Sequence, residues 1–375
     1  MHRLHQPLKV MTILGTRPEI IRLSCVLPKM DEYFDHVIVY TNQSYDYELS
    51  QIFFNDLKLR QPDYTLDVKS TTIGEQIAKI LSQSEKVMLK ERPDALLILG
   101  DTNSALSAII AKRLKIPIFH MEAGNRCFDE NVPEEINRRL VDHISDYNLP
   151  YTEHSRRYLT REGIHPGTVY VTGTPLTEVL NHYSGLINDS LILQELKLTP
   201  QKYFLASTHR EENVDNEDHL RELFASFNGL ARAYKLPLIV SLHPRTKARL
   251  KAINLKPSPL IRLSKPLGFF DYNKLQQHAL CVLSDSGTIQ EESAILNFKA
   301  IQIRVSSERP EAFDAGSIIL TGFNQRTIMN AVNLVISQSR KDEPVPVPPD
   351  YLDKNVSTKV VKLITGLAAI RKYHH

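Results

Sequence analysis

The sequence predicts two doubly wound α/β domains, and three observations carry that prediction. Short, continuous apolar runs alternate with longer amphipathic ones, the pattern of parallel strands covered by helices on both faces. The alternation fades in a polar, turn-prone stretch near Asn181 to Gln201 and then restarts. The chain has 375 residues, too many for one ordinary core and enough for two of similar size. The expected domains are 1–181 and 182–350.

In the first domain, Lys9 to Gly15 (KVMTILG) predicts a buried strand and Pro18 to Met30 the helix after it. His36 to Thr41 is the second strand, and a helical pattern covers Thr72 to Glu91. Ala95 to Gly100 (ALLILG) and Ile116 to Met121 (IPIFHM) are strand-like, and Pro133 to Ile144 is helical, with Ile136, Leu140, His143 and Ile144 on one side. In the second domain the strands are Tyr203 to Ser207, Leu238 to Leu242, Leu280 to Leu283 and Ala300 to Val305. Asp342 to Asp350 (DEPVPVPPD) is a linker, because its prolines lack donors and fix φ. The helix beyond it, within 358–375, is expected to pack back on the first domain.

Bulk composition excludes several classes. Hydrophobic residues make up 42% and charged residues 24%, which argues against disorder. A net charge of +3 gives no footprint for nucleic-acid binding. The N-terminal MHRLHQPLKVMTIL lacks the apolar stretch and cleavage site of a signal peptide, and no apolar run approaches a bilayer span, so no membrane insertion is expected. Cys25, Cys127 and Cys281 are scattered and odd in number. They suit a reducing, cytoplasmic setting, with Cys25 and Cys281 in the core.

A doubly wound pair places ligands at the carboxyl ends of the strands, so two such domains are expected to face a cleft there. The polar motifs fall at those ends. GTRPEIIR, from Gly15 to Arg22, follows the first strand. Its helix start, with Arg17 beside it and Arg22 one turn on, offers an anion site or simply a solvated helix start. GDTNS places Asp101 at a strand end, as base, ligand or helix cap. HMEAGNRCFDENVPEEINR, from His120 to Arg138, gathers Glu122, Arg126, Asp129, Glu130, Glu134, Glu135 and Arg138. The helix dipole explains acids in the first turn after Pro133, but it does not explain Glu122 at the end of a buried strand. Converging carboxylates permit a paired acid and base.

THREENVD places His209 at the tip of the second domain's first strand, and LHPRT places His243 after the next one. SDSGTIQEE opens a helix with hydroxyls and N–H groups suited to phosphate, and its Glu292 is placed to accept ribose hydroxyls. SSERPEAFDAG adds Arg309 as a second phosphate clamp. A capped helix explains either string equally. The G-x-G-x-x-G, P-loop, H-E-x-x-H and G-x-S-x-G patterns are absent, so no metal, nicotinamide or flavin cofactor is expected, nor an α/β-hydrolase nucleophile.

Taken in order, these strings resemble the non-hydrolysing UDP-N-acetylglucosamine 2-epimerase family over nearly the whole chain. The resemblance implies two Rossmann-like domains arranged as in GT-B glycosyltransferases. It also implies a UDP-linked 2-acetamido sugar as ligand. Asp101, Glu122, Glu134 and His209 match the family's catalytic positions. Arg17 and Arg309 match diphosphate-binding positions, and Ser286 and Gly287 the phosphate loop. Glu292 matches the ribose-binding carboxylate, and Tyr272 an aromatic residue beside uracil. Gln43, Arg210 and His243 fall near a second, regulatory nucleotide-sugar site of some members. Arg22 replaces a lysine, exchanging a point charge for a planar fork, and Thr288 replaces a glycine beside the phosphate loop. Both are counted with Arg126 among the substrate-binding residues, and a homodimer is expected.

The segments GNRCFDENVPEEINR, LPYTEHSRRYL and NVSTKVV are similar to polysaccharide-pathway epimerases for capsule or O-antigen. They favour a branch forming UDP-N-acetyl-L-fucosamine from the L-talose sugar. UDP-N-acetylglucosamine and UDP-2,3-diacetamido-glucuronic acid are the alternatives. A GT-B glycosyltransferase, a hydrolysing epimerase and a silent nucleotide-sugar sensor are the rivals of other classes. The carboxylate-rich GNRCFDENVPEE favours epimerisation, because sugar transfer needs no base at C2.

Overall fold

The computed structural model describes residues 7–43, 53–130, 132–208, 216–242, 244–255, 257–341 and 343–370. They form two compact units, Met1–Val179 with Leu352–His375, and Leu180–Tyr351.

The first unit is built on six strands: β1 (Lys9–Leu14), β2 (Asp35–Tyr40), β3 (Tyr64–Thr65), β4 (Ala95–Leu99), β5 (Ile118–Met121) and β6 (Tyr147–Leu149). All pair in parallel, in the order β3-β2-β1-β4-β5-β6. Register aligns Met11 with Val37 on one side and with Leu96 on the other, and Leu96 with Ile118. These side chains are buried, as are Ile80 and Met88 of the covering helix Ile73–Glu91. Each fully buried aliphatic chain of this kind stabilises the unit by roughly 1.5–3 kcal/mol. Thr72 caps that helix by accepting from the Glu75 N–H.

The single helix expected over Pro18 to Met30 is two helices, Arg17–Leu23 and Val26–Tyr33. Ser24 makes the break: its Oγ donates to the Ile21 carbonyl at 2.7 Å, a backbone acceptor that a continuous helix would use. The helix Pro133–Ile144 has its expected bounds but turns the other way. Glu135, Arg138, Val141 and Asp142 are buried, while Ile136 and Leu140 are exposed.

The second unit carries β7 (Phe204–Thr208), β8 (Leu238–Leu242), β9 (Ile261–Ser264), β10 (Cys281–Ser284) and β11 (Ala300–Gln302). They are parallel, in the order β11-β10-β7-β8-β9, which repeats the winding of the first unit around a central β7. Phe204, Ala206, Val240 and Leu283 pack under Phe224 and Phe227 of the helix Glu217–Tyr234. β3, β6 and β9 were not expected from sequence. They are short, and they lie at or beside sheet edges without a continuous apolar run.

The proline-rich stretch expected as a linker is packed on the second unit. Val345 and Tyr351 are buried with Ala294, and the Val345 N–H donates to Asn297 Oδ1 at 2.9 Å. Fixed φ angles hold it extended, and its apolar side chains find a surface to cover. The helix Val356–Ile370 lies in the first unit against Val26–Tyr33. There the Ser357 N–H donates to Glu178 Oε2 at 2.8 Å, and Lys359 donates to the Thr172 carbonyl at 3.0 Å. No helix among the described residues is long and apolar enough to cross a membrane.

Candidate active site

In the first unit the motif residues stand where β1, β4 and β5 end. Gly15 follows β1 because nothing larger fits: a Cβ there would lie 2.2 Å from Thr41 Oγ1 and 3.0 Å from the Gln43 amide carbon. Gln43, expected at a regulatory site, thus packs on the GTRPE turn. Arg17 lays its guanidinium 4.4 Å from the centre of the Phe53 ring. Arg22 is buried over the Tyr151 ring, and its Nε is 3.9 Å from Glu122 Oε2.

Glu122 is the first residue past β5 and has φ of 64°, a left-handed conformation that costs a side-chain-bearing residue on the order of 1 kcal/mol. Buried partners hold it there. Asp142 accepts from the Gly124 N–H at 3.2 and 3.1 Å and from Arg126 Nη1 at 2.7 Å, and it faces His120 Nδ1 at 3.0 Å. His120 Nε2 donates to the Gly100 carbonyl at 2.8 Å. Gly124 has φ of 79°, and a Cβ on it would come within 2.5 Å of the Ser155 carbonyl oxygen. The loop is therefore forced around Glu122, and Asn125 Nδ2 donates to Glu122 Oε1 at 3.2 Å.

Asp101, after β4, receives Nε and Nη2 of Arg138 at 3.0 and 2.6 Å on one oxygen. Asn137 donates to its carbonyl at 2.9 Å. The helix Pro133–Ile144 thus grips the loops of both β4 and β5. Glu134 is half-buried. Its neighbour Glu135 is buried and accepts from Arg138, Arg139 and the Cys127 N–H. Burial would raise the Glu135 pKa, but the Cys127 N–H and the Arg138 guanidinium outweigh it and hold the carboxyl below its usual range.

Arg126, expected to contact substrate, is held here by two carboxylates. It is 1% exposed and donates to Glu162 at 2.8 and 2.6 Å, to Asp142 and to the Asn125 carbonyl. The buried carboxylate of Asp142 needs a counter-charge, and Arg126 supplies it.

Glu19, of the same GTRPE turn, was not singled out by sequence. It is 2% exposed and accepts from the Gly15 N–H (3.1 Å), Thr16 Oγ1 (2.7 Å), Thr102 Oγ1 (3.2 Å) and Ser104 Oγ (2.7 Å). Burial pushes its carboxyl up to about 7, against the opposing pull of those four donors. Asp142 was not singled out either, although a signal existed: with Glu135 and Arg138 it forms an i, i+3, i+7 charged stripe on one helix face.

In the second unit the SDSG turn follows β10. Ser286 Oγ and Thr288 Oγ1 are 2.9 Å apart, and Ser286, Gly287 and Thr288 are half-buried. Thr288 precedes the helix Ile289–Leu296, on which Glu292 accepts from Gln276 Nε2 at 2.6 Å. Tyr272 reaches the same region: burial, then the nearby carboxylates of Glu292 and Asp285, push its phenol pKa up. Arg309 is buried and pairs with Glu291, also buried, at 3.1 Å. The phosphate clamp expected of it is thus already part of an interior ion pair. His209, Arg210 and His243 lie outside the described residues.

Comparison with known proteins fits this arrangement. Residues 28–365 match the family described as UDP-N-acetylglucosamine 2-epimerase. The UDP-N-acetylglucosamine 2-epimerase of Methanocaldococcus jannaschii is 39% identical over 348 residues, 89% of this chain and 93% of that protein. Its structure in complex with UDP-GlcNAc and UDP superposes with a TM-score of 0.88 over 96% of this chain and 99% of that one. A Rickettsia bellii structure of the same name is 45% identical, with a TM-score of 0.91 over 97% and 98% of the two chains. The UDP-2,3-diacetamido-2,3-dideoxy-D-glucuronate 2-epimerase of Pseudomonas aeruginosa is 32% identical over 340 residues, 90% of this chain and 94% of that protein. The fold is therefore GT-B-like. The chain belongs to the UDP-N-acetylglucosamine 2-epimerase family, isomerases that act on UDP-sugars.

Proposed function

We propose that this protein inverts C2 of a UDP-linked 2-acetamido sugar without hydrolysing it. The observation that carries this is the pairing of Asp101 and Glu122 at the ends of adjacent strands β4 and β5, each held by a buried arginine, Arg138 and Arg22. The C2 proton of such a sugar has no adjacent carbonyl to acidify it. The C1–O bond to UDP breaks and C2 loses its proton, which leaves a C1=C2 double bond in a 2-acetamido glycal. UDP then adds back at C1 while C2 takes a proton on the opposite face. Inversion needs proton acceptors and donors on both faces, hence more than one carboxylate. Asp101, Glu122, Glu134 and His209 are the proposed proton-transfer groups. Arg17, Arg22, Arg309, Ser286, Gly287 and Thr288 are proposed to bind the diphosphate, and Tyr272 and Glu292 the uridine, with Arg126 kept as a proposed substrate-binding residue. Gln43, Arg210 and His243 are retained as a proposed regulatory site.

UDP-N-acetylglucosamine is the substrate that the named relatives favour. The NVSTKVV and TEHSRRYL segments favour a second reading, UDP-N-acetyl-L-fucosamine formed from the L-talose sugar. NMR of the purified protein with both UDP-sugars in D₂O tests the proposal. Deuterium entering C2 of either one, with no acceptor present, supports it. No entry with any UDP-2-acetamido sugar defeats it, and stoichiometric release of free UDP makes the protein a hydrolysing enzyme. A homodimer is also proposed, supported by the exposed Ile136 and Leu140, and sedimentation velocity reads it directly.

A further inference from the structure

Glu19 is a buried carboxylate that the reaction above does not use, and its four donors come from two separate loops. Gly15 and Thr16 belong to the turn after β1, next to Arg17. Thr102 and Ser104 belong to the loop after β4, next to Asp101. Two of the contacts, at 2.7 Å to Thr16 and 2.7 Å to Ser104, are short and use different oxygens of the carboxylate. A single group therefore fixes the spacing of two strand-end loops, one bearing a proposed diphosphate ligand and the other a proposed proton-transfer residue.

We propose that Glu19 is a positioning residue, whose ionised carboxylate locks the Arg17 turn to the Asp101 loop in the arrangement that catalysis requires. The inference rests on the proposed reaction and adds a group that need not touch substrate. The Gly15 N–H can only donate, and the Thr102 and Ser104 hydroxyls, 2.6 Å apart, share one hydrogen bond between themselves, so the ionised acid accepts from Gly15, Thr16 and one member of that pair. A protonated acid must place its own O–H against a hydroxyl and force that hydroxyl to turn from donor to acceptor. The groups facing Glu19 are uncharged. The charges on the same segments are engaged elsewhere: Arg17 on Phe53, Arg22 toward Glu122 and Asp101 on Arg138. Its carboxyl titrates at about 7, so the lock changes state in an accessible pH range.

Glu19→Gln copies the protonated form, since its amide oxygen can keep the Gly15 N–H while its –NH₂ faces Ser104. C2 deuterium exchange in UDP-N-acetylglucosamine is measured for both proteins across pH 5.5–8.5. The wild type should lose kcat/KM as pH falls below about 7. The variant should run roughly 10–100-fold slower at pH 8, with KM little changed and no acid limb, because small misplacements of reacting groups cost about that much. Wild-type kcat/KM at pH 8, or an acid limb that survives in the variant, overturns the proposal.

Ser104→Ala is the second variant, for use if the first does not fold. Losing a donor should move the acid limb to higher pH, and an unmoved limb also overturns the proposal. If the wild type exchanges C2 of no UDP-2-acetamido sugar, the functional reading fails by itself. Amide hydrogen exchange at Gly15–Ile20 and Asp101–Ser104 then decides the lock. Faster exchange in Glu19→Gln supports it, and unchanged exchange overturns it.

Discussion

Arg138 holds Asp101 through two N–H groups, at 3.0 and 2.6 Å, and with its third nitrogen reaches Glu135 at 2.9 Å. One guanidinium thus joins a proposed proton-transfer residue to a buried acid on its own helix. Arg138→Met should take from Asp101 the guanidinium that holds it, leave Glu135 to Arg139 and the Cys127 N–H, and cost on the order of 3 kcal/mol in urea unfolding, the usual effect of removing one partner of a buried pair. Loss of C2 exchange should exceed what that instability explains when both proteins are assayed well below their melting temperatures.

Glu122→Gln removes a charge at a strained position and leaves the shape. C2 exchange should fall by about 10²–10⁴-fold, the range for losing a general acid or base. UDP affinity measured by calorimetry should change less than exchange, because Arg22, 3.9 Å from Glu122, loses an ion pair but keeps its own charge. Retained exchange would remove Glu122 from the reaction.

Gly124→Ala puts a Cβ 2.5 Å from the Ser155 carbonyl oxygen at a φ of 79°. The clash is with backbone, which cannot swing away, so overpacking and the left-handed conformation both act. A loss of about 2–4 kcal/mol is expected, read as a lowered midpoint in denaturant. Gly74→Ala is the control, since its Cβ would meet nothing within 4 Å.

Burial of Glu19 makes stability depend on pH in a defined direction. Its folded pKa of about 7 lies above the ordinary 4.5, so the folded state binds the proton more tightly than the unfolded chain. The contribution is full below pH 4.5 and is lost as pH rises through about 7. The total is about 3 kcal/mol. The pH slope of unfolding free energy between these values should flatten in Glu19→Gln. An unchanged slope would mean that Glu19 is not what titrates.

The three cysteines should be poor nucleophiles. Burial pushes the thiols of Cys25 and Cys281 up to about 12 and that of Cys127 up to about 11. Thiolate is the reactive form, and at pH 8 these values leave about one part in a thousand or less. Iodoacetamide at pH 8 should leave C2 exchange intact over an hour, and mass spectrometry should find all three thiols unmodified.

The sequence by itself determined the two doubly wound units and the points along the chain where chemistry concentrates. Continuous apolar runs as short as ALLILG, bounded by a glycine and turn residues, fit strands buried on both faces, and the polar residues directly after them then stand at strand ends. The chemical types near those ends were legible for the same reason: Glu122 is conspicuous because nothing in helix or strand formation asks for a carboxylate there. Tertiary structure alone decided how the charges divide between site and scaffold. Arg126, Arg138 and Arg309 look alike in sequence. Arg126 nevertheless neutralises Asp142 and Glu162, Arg138 clasps Asp101, and Arg309 pairs with Glu291. The same holds for the helix Pro133–Ile144, whose apolar Ile136 and Leu140 face outward while its charged stripe is buried. The physical reason is that burial of an ion depends on the counter-charge that meets it from another segment. Local periodicity records only the preference of each residue, whereas the partner is brought in by the fold.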